Sequence, residues 1–143
     1  IDNNSIIFQK RQSTGDSIWM MDSNSGKQTL LAGDKEGIDS TNAFRYTYSA
    51  DKMQLIYPSK FSKQGQDIMS LMFGSQEPQL LFNVPYGDFT NAQVTSDNKY
   101  LIFSSLTQGD FGKTLFLYDI SQRKLSKICE PSTKLSCTSF VLH

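Results

Sequence analysis

The sequence predicts an all-β fold assembled from short antiparallel meanders. Three observations predict it. Apolar runs of four to seven residues, rich in Ile, Leu, Phe and Tyr, recur along the 143 residues between clusters of turn-forming residues. No stretch holds apolar residues at helical spacing over about ten positions without a breaker. The runs also repeat as a unit: Asp51-Lys52-Met53-Gln54-Leu55-Ile56-Tyr57-Pro58-Ser59 returns 46 positions later as Asp97-Asn98-Lys99-Tyr100-Leu101-Ile102-Phe103-Ser104-Ser105.

The elements follow in order. The first unit opens with Ser5-Ile6-Ile7-Phe8-Gln9-Lys10-Arg11, continues with Asp16-Ser17-Ile18-Trp19-Met20-Met21, and closes with Gln28-Thr29-Leu30-Leu31. The second begins one element earlier, at Phe44-Arg45-Tyr46-Thr47-Tyr48. It then runs through Leu55-Ile56-Tyr57, Asp67-Ile68-Met69-Ser70-Leu71-Met72 and Gln79-Leu80-Leu81-Phe82. The third reads Thr90-Asn91-Ala92-Gln93-Val94, Leu101-Ile102-Phe103, Lys113-Thr114-Leu115-Phe116-Leu117-Tyr118 and Lys124-Leu125-Ser126-Lys127-Ile128. A last element, Thr138-Ser139-Phe140-Val141-Leu142, follows. Central strands are apolar on both faces, as a sheet sandwiched between neighbours requires. The closing strands carry more Lys, Gln and Ser, which suits a wet edge and blunts edge pairing. Four-stranded units of this length fit the blades of a β-propeller. The blade units are 5–35, 44–83 and 90–129, with an extra strand at 138–142, in one domain spanning 1–143.

A family resemblance now becomes legible. The stretch from Ile7-Phe8 to Gly15, then Ile18-Trp19-Met20-Met21-Asp22, Ser25-Gly26-Lys27 and Leu30-Leu31, resembles the TolB-like propeller repeat. Ser49-Ala50-Asp51-Lys52 and Ser96-Asp97-Asn98-Lys99 resemble its Ser-Pro-Asp-Gly-Lys turn, without the Pro and Gly. The resemblance implies a six-bladed TolB-type propeller, of which about three blades are present. It also implies a periplasmic or otherwise exported setting. It does not fix function, because such repeats serve binding proteins, peptidase propeller domains and sugar-lyase propellers.

Composition excludes several classes. Fourteen basic and fourteen acidic residues balance, against a broad nucleic-acid surface. No run approaches the ~20 apolar residues of a membrane-spanning helix. Ten Phe and six Tyr supply ample material for a core. Ile1 is not a translation start, so a removed upstream piece is expected.

Catalysis finds little support. The single histidine is His143, and neither a Gly-x-Ser-x-Gly elbow nor a Walker loop occurs. No metal or cofactor is expected, and no two acidic residues stand out as a catalytic pair. Asp22, Asp51, Asp97 and Asp119 read as turn-formers that accept backbone N–H groups, with calcium binding the less favoured role for Asp51 and Asp97. The core is expected to hold Phe8, Trp19, Leu55, Tyr57, Leu101, Phe103, Leu115 and Phe116. Trp19 is the only tryptophan, and a ligand-stacking role is its alternative. Polar loops between second and third strands emerge on one propeller face. There Phe61, Gln64, Gln108, Asp110 and Phe111 form the expected binding surface, and the central channel is a second candidate.

Cys129 and Cys137 admit two readings, free thiols or a disulfide in an oxidising compartment. A blade is roughly 15 Å across, and the chain after Cys129 must return from rim to axis. That crossing carries the thiols apart and favours the free form. Three blades leave two broad faces without neighbours. The chain is therefore expected to be part of a larger ring, to pair with a second copy into six blades, or to pack on another partner. The functional expectation is a non-catalytic binding propeller with a protein or peptide partner. The alternative is the propeller portion of a larger hydrolase of prolyl-oligopeptidase type, or of a sugar lyase, with catalytic residues outside this chain.

Overall fold

A computed structural model describes residues 4–12, 15–38, 46–49, 54–59, 63–75, 77–84, 89–106, 112–129 and 137. Eleven strands account for most of them. The first sheet joins β1 (Ser5–Gln12), β2 (Gly15–Asp22) and β3 (Gln28–Ile38) in that order. The second joins β4 (Thr47–Ser49), β5 (Gln54–Pro58), β6 (Gln66–Met72) and β7 (Gln79–Val84). The third joins β8 (Thr90–Val94), β9 (Tyr100–Leu106), β10 (Lys113–Asp119) and β11 (Lys124–Cys129). All pairings are antiparallel between sequence neighbours, so each sheet is a meander resembling a propeller blade.

The sheets stack face to face. Ile18, Ala32, Leu55, Tyr57 and Leu71 fill the first interface, with Ile7, Leu31, Tyr46, Met69 and Phe73 packed against them. Ile56, Ile68, Val84, Phe89, Leu101, Phe103, Phe116 and Tyr118 fill the second. Strand alternation divides the middle sheet between them. Leu55 and Tyr57 point toward the first sheet and Ile56 toward the third, so β5 is buried along its whole length. Phe103 is the hub of the second interface. Its ring lies 4.9 Å from Phe89, 5.3 Å from Phe116 and 5.4 Å from Phe82.

Register makes the three sheets superimposable. Phe8 opposes Trp19, Tyr57 opposes Met69, and Phe103 opposes Phe116. Two pairs further along, on the same face, Ile6 opposes Met21, Leu55 opposes Leu71, and Leu101 opposes Tyr118. Each third-to-fourth strand pairing also carries a register break. It passes over Leu31 between Ile18–Ala32 and Trp19–Leu30, and Leu81 between Ile68–Phe82 and Met69–Leu80. In the third sheet it passes over Ile128, between Leu115–Cys129 and Phe116–Lys127. A bulge at one place in every blade twists the outer strand and aims one residue out of the ladder.

Several expectations need correction. Phe8 and Trp19 are only half-buried, because they occupy the face of the first sheet that no other described sheet covers. Leu115 is also half-buried, since alternation along β10 turns it away from the inward Phe116 and Tyr118. The closing strand of the first sheet extends to Ile38, well beyond Leu31. Cys129 and Cys137 form a disulfide, with Cα atoms 6.2 Å apart. The expected separation assumed that the chain has left the rim by Cys137. Instead Cys137 is buried, its Cα 6.2 Å from that of Cys129 at the end of β11. The expected strand at 138–142 lies outside the described residues.

Candidate functional site

The turn aspartates act locally. Asp22 Oδ1 accepts the Asn24 and Ser25 N–H groups at 2.9 and 2.8 Å. Asp119 Oδ1 accepts those of Ser121 and Gln122 at 2.9 and 2.8 Å. Four residues after each aspartate the chain turns left-handed, at Gly26 (φ 69°) and Arg123 (φ 52°). Asp97 Oδ1 accepts the Thr95 hydroxyl at 2.6 Å and the Lys99 N–H at 3.1 Å. All three carboxyls are held below the ordinary range by these donors. The Thr95 hydroxyl, the largest influence on Asp97, helps bring it to about 2. Each aspartate is thus spoken for by its own turn. Asp51 lies outside the described residues.

Of the expected loop-face residues, Gln64 is exposed in the turn before β6. Phe61, Gln108, Asp110 and Phe111 lie outside the described residues. Buried Asp16 accepts a hydrogen bond from Gln9, and the Arg11 Nε lies 3.9 Å from its carboxylate. No group of three or more His, Cys, Asp or Glu able to hold a metal occurs among the described residues.

Two surfaces remain. The first is the uncovered face of the first sheet. Lys10 Nζ sits 3.9 Å from the Trp19 ring centroid and 5.6 Å from that of Phe8, and donates to Gln28 Oε1 at 2.7 Å. Trp19 Nε1 donates to Ser17 Oγ at 2.8 Å. Ile6, 48% exposed, extends the apolar face. The ammonium over the rings partly shields an aromatic surface that elsewhere in the chain is packed shut.

The second is a groove of about 420 Å³ between the first and second sheets. Met20, Leu30 and Leu31 form one wall, and Leu71, Met72 and Phe73 the other. Leu30 and Met72, 40% and 49% exposed, form its rim. Sequence reasoning missed it. The signal lay in the strand register: Leu71, which lines the groove, stands where the third sheet has Tyr118. In the second interface Tyr118 packs on Phe82, ring centroids 4.3 Å apart. The Tyr118 hydroxyl there donates to the carbonyl of the bulge residue Leu81 at 3.2 Å.

No family model matches the sequence, and no curated protein matches it. Solved structures do match its fold. TolB from Acinetobacter baumannii is 17% identical over 88% of this chain and 29% of its own, with a TM-score of 0.70. An oligogalacturonate lyase in complex with manganese is 18% identical over 90% of this chain and 37% of its own, with a TM-score of 0.70. A Mycobacterium tuberculosis puromycin-hydrolysing peptidase is 11% identical over 94% of this chain and 20% of its own, also at 0.70. At these identities the likeness shows the fold alone: the sheets are arranged as consecutive blades of propellers found in binding proteins and enzymes alike. The chain spans well under half the length of these three structures.

Proposed function

We propose that this chain is the non-catalytic propeller portion of a larger exported protein of hydrolase or lyase type. The observation that supports the reading is the face of the first sheet that no other described sheet covers. The uncovered face of the first sheet, with Ile6, Phe8 and Trp19, occupies the register positions that are sealed in the other two sheets. An apolar aromatic face of that kind is made to be covered. Further blades of the same protein, or a second copy closing a six-bladed ring, have the matching shape. Similarity to peptidases and an oligogalacturonate lyase supports an enzyme as the larger protein. Its catalytic groups then belong to parts outside this chain. The disulfide and the likeness to TolB support export into an oxidising compartment.

A second reading is a free-standing binding propeller. The likeness to TolB and the apolar groove between the first two sheets favour it. The test is the full-length gene product, incubated with a fluorophosphonate probe for serine hydrolases and, separately, with oligogalacturonate. Probe labelling or substrate cleavage supports the enzyme reading. A full-length product made only of blades, with neither activity, supports the binding reading instead.

A further inference from the structure

We infer that the Cys129–Cys137 disulfide is a redox latch on β11. Oxidised, it holds the outer strand in the third sheet; reduction by a protein dithiol releases that strand alone. The other two sheets show how an outer strand is otherwise held. In the second, Phe82 of β7 and Phe89, just before β8, both pack on Phe103, with ring centroids at 5.4 and 4.9 Å. Phe103 belongs to the third sheet, so that sheet clasps the outer strand to the connection that follows it. In the first, Leu31 and Ala32 of β3 pack against side chains of the second sheet.

Strand pairing puts Cys129 at the place of Phe82 and Ala32. Leu115 opposes Cys129 as Ile68 opposes Phe82 and Ile18 opposes Ala32. Phe89 comes seven positions after Phe82, and Cys137 eight after Cys129. The disulfide thus joins with one covalent bond the two places that Phe103 clasps in the second sheet. Apolar packing does not do this for β11. Its residues 124–128 are exposed, Ile128 at 52%, and the described cores contain no residue of this strand. The register break at Ile128 also separates the Leu115–Cys129 pair from the rest of the ladder. Without the disulfide, β11 is an edge strand in water, where each ladder hydrogen bond adds little and opening is local. Cys129 is half-buried and Cys137 buried, so an incoming thiolate reaches Cys129 first. It bonds to the Cys129 sulfur, and the Cys137 sulfur leaves as a thiolate that takes up a proton. The second thiol of the reductant then attacks its own sulfur in the mixed disulfide. Cys129 leaves as a thiolate and is protonated. The reductant, now a disulfide, has given up two electrons and two protons.

Hydrogen exchange read by mass spectrometry on the full-length protein tests this, with dithiothreitol as the dithiol. Reduction is expected to speed amide exchange across β11 by about tenfold or more, while β8, β9 and β10 stay within about twofold. Reoxidation should restore the protection. A variant carrying Cys129→Ser and Cys137→Ser should match the reduced protein; the reduced wild type decides alone if that variant fails to fold. Unchanged exchange in β11 after reduction overturns the inference. Protection lost throughout β8, β9 and β10 as well overturns it too, because the bond then supports the whole sheet. A disulfide that dithiothreitol reduces only after the protein is unfolded shows a fixed staple, and no latch.

Discussion

The hydroxyl of Tyr118 donates to the carbonyl of Leu81 at 3.2 Å, tying the third sheet to the second across an otherwise apolar seam. Burial raises the Tyr118 pKa above the usual phenol value, so the hydroxyl keeps its proton throughout the neutral range. Tyr118→Phe keeps the ring and removes only the donor. The expected loss is about 0.5–1.5 kcal/mol in urea unfolding of the full-length protein. No measurable loss would show that water replaces the donor at Leu81.

Phe103→Ala should cost about 3–5 kcal/mol, because the ring touches three other rings and is fully buried. Phe8 holds the same register position on the uncovered face. In the full-length protein Phe8→Ala should cost a comparable amount if another sheet lies over that face. A cost below about 1 kcal/mol would mean that the face stays in water.

Two glycines separate conformational strain from steric conflict. Gly26 has φ 69° and open space where a Cβ would go, so Gly26→Ala should cost about 1 kcal/mol. Gly33 has φ 112°, and a Cβ there would lie 2.5 Å from Ser17 Cα and 2.6 Å from the Asp16 carbonyl. Gly33→Ala should therefore exceed about 2 kcal/mol and disturb the β2–β3 pairing. Equal unfolding midpoints for the two variants would contradict the close approach.

The pH dependence follows from the turn carboxylates. Asp97 titrates at about 2 when folded, below its ordinary value of 3.8, because Thr95 and Lys99 donate to the charged form. The folded state thus binds this proton less readily than the unfolded state. The stabilisation is present above pH 3.8 and is lost as pH falls through about 2. Asp22 and Asp119 act in the same direction. Carboxyl NMR titration should find Asp97 depressed in the wild type and returned toward the ordinary value in Thr95→Val. An Asp97 midpoint near 4 in the wild type would contradict the turn geometry.

Reduction of the Cys129–Cys137 bond should lower stability by about 2–3 kcal/mol in the chain-entropy picture for so short a loop. The intact protein should be two hydrogens lighter than the reduced chain by mass analysis. Identical unfolding curves with and without reductant would show that the β11 end holds without it.

Strand order was legible in the sequence because turn chemistry and apolar runs coincide, and β8 falls at Thr90–Val94 as expected. The extension of β3 was not, since Asp34-Lys35-Glu36-Gly37 carries no strand signature. The positions of Phe8 and Trp19 were misjudged for another reason. A repeat tells which face a side chain takes but not which blade lacks a neighbour. The groove was hidden because the size difference between Leu71, which lines it, and its register equivalent Tyr118 shows only once the strand pairings are known. The two stand 47 residues apart, not at the 46-residue offset of the repeated turn segments. The disulfide was missed because its geometry depends on where the chain turns after Cys129 rather than on blade width.

That bond has a consequence for how cleavage of the protein would be noticed. Cys129 and Cys137 stand eight positions apart, so every peptide bond between them lies inside a covalent ring. A protease cutting there adds one water and releases nothing. The nicked and intact forms migrate together on a gel until a reducing agent separates the two pieces.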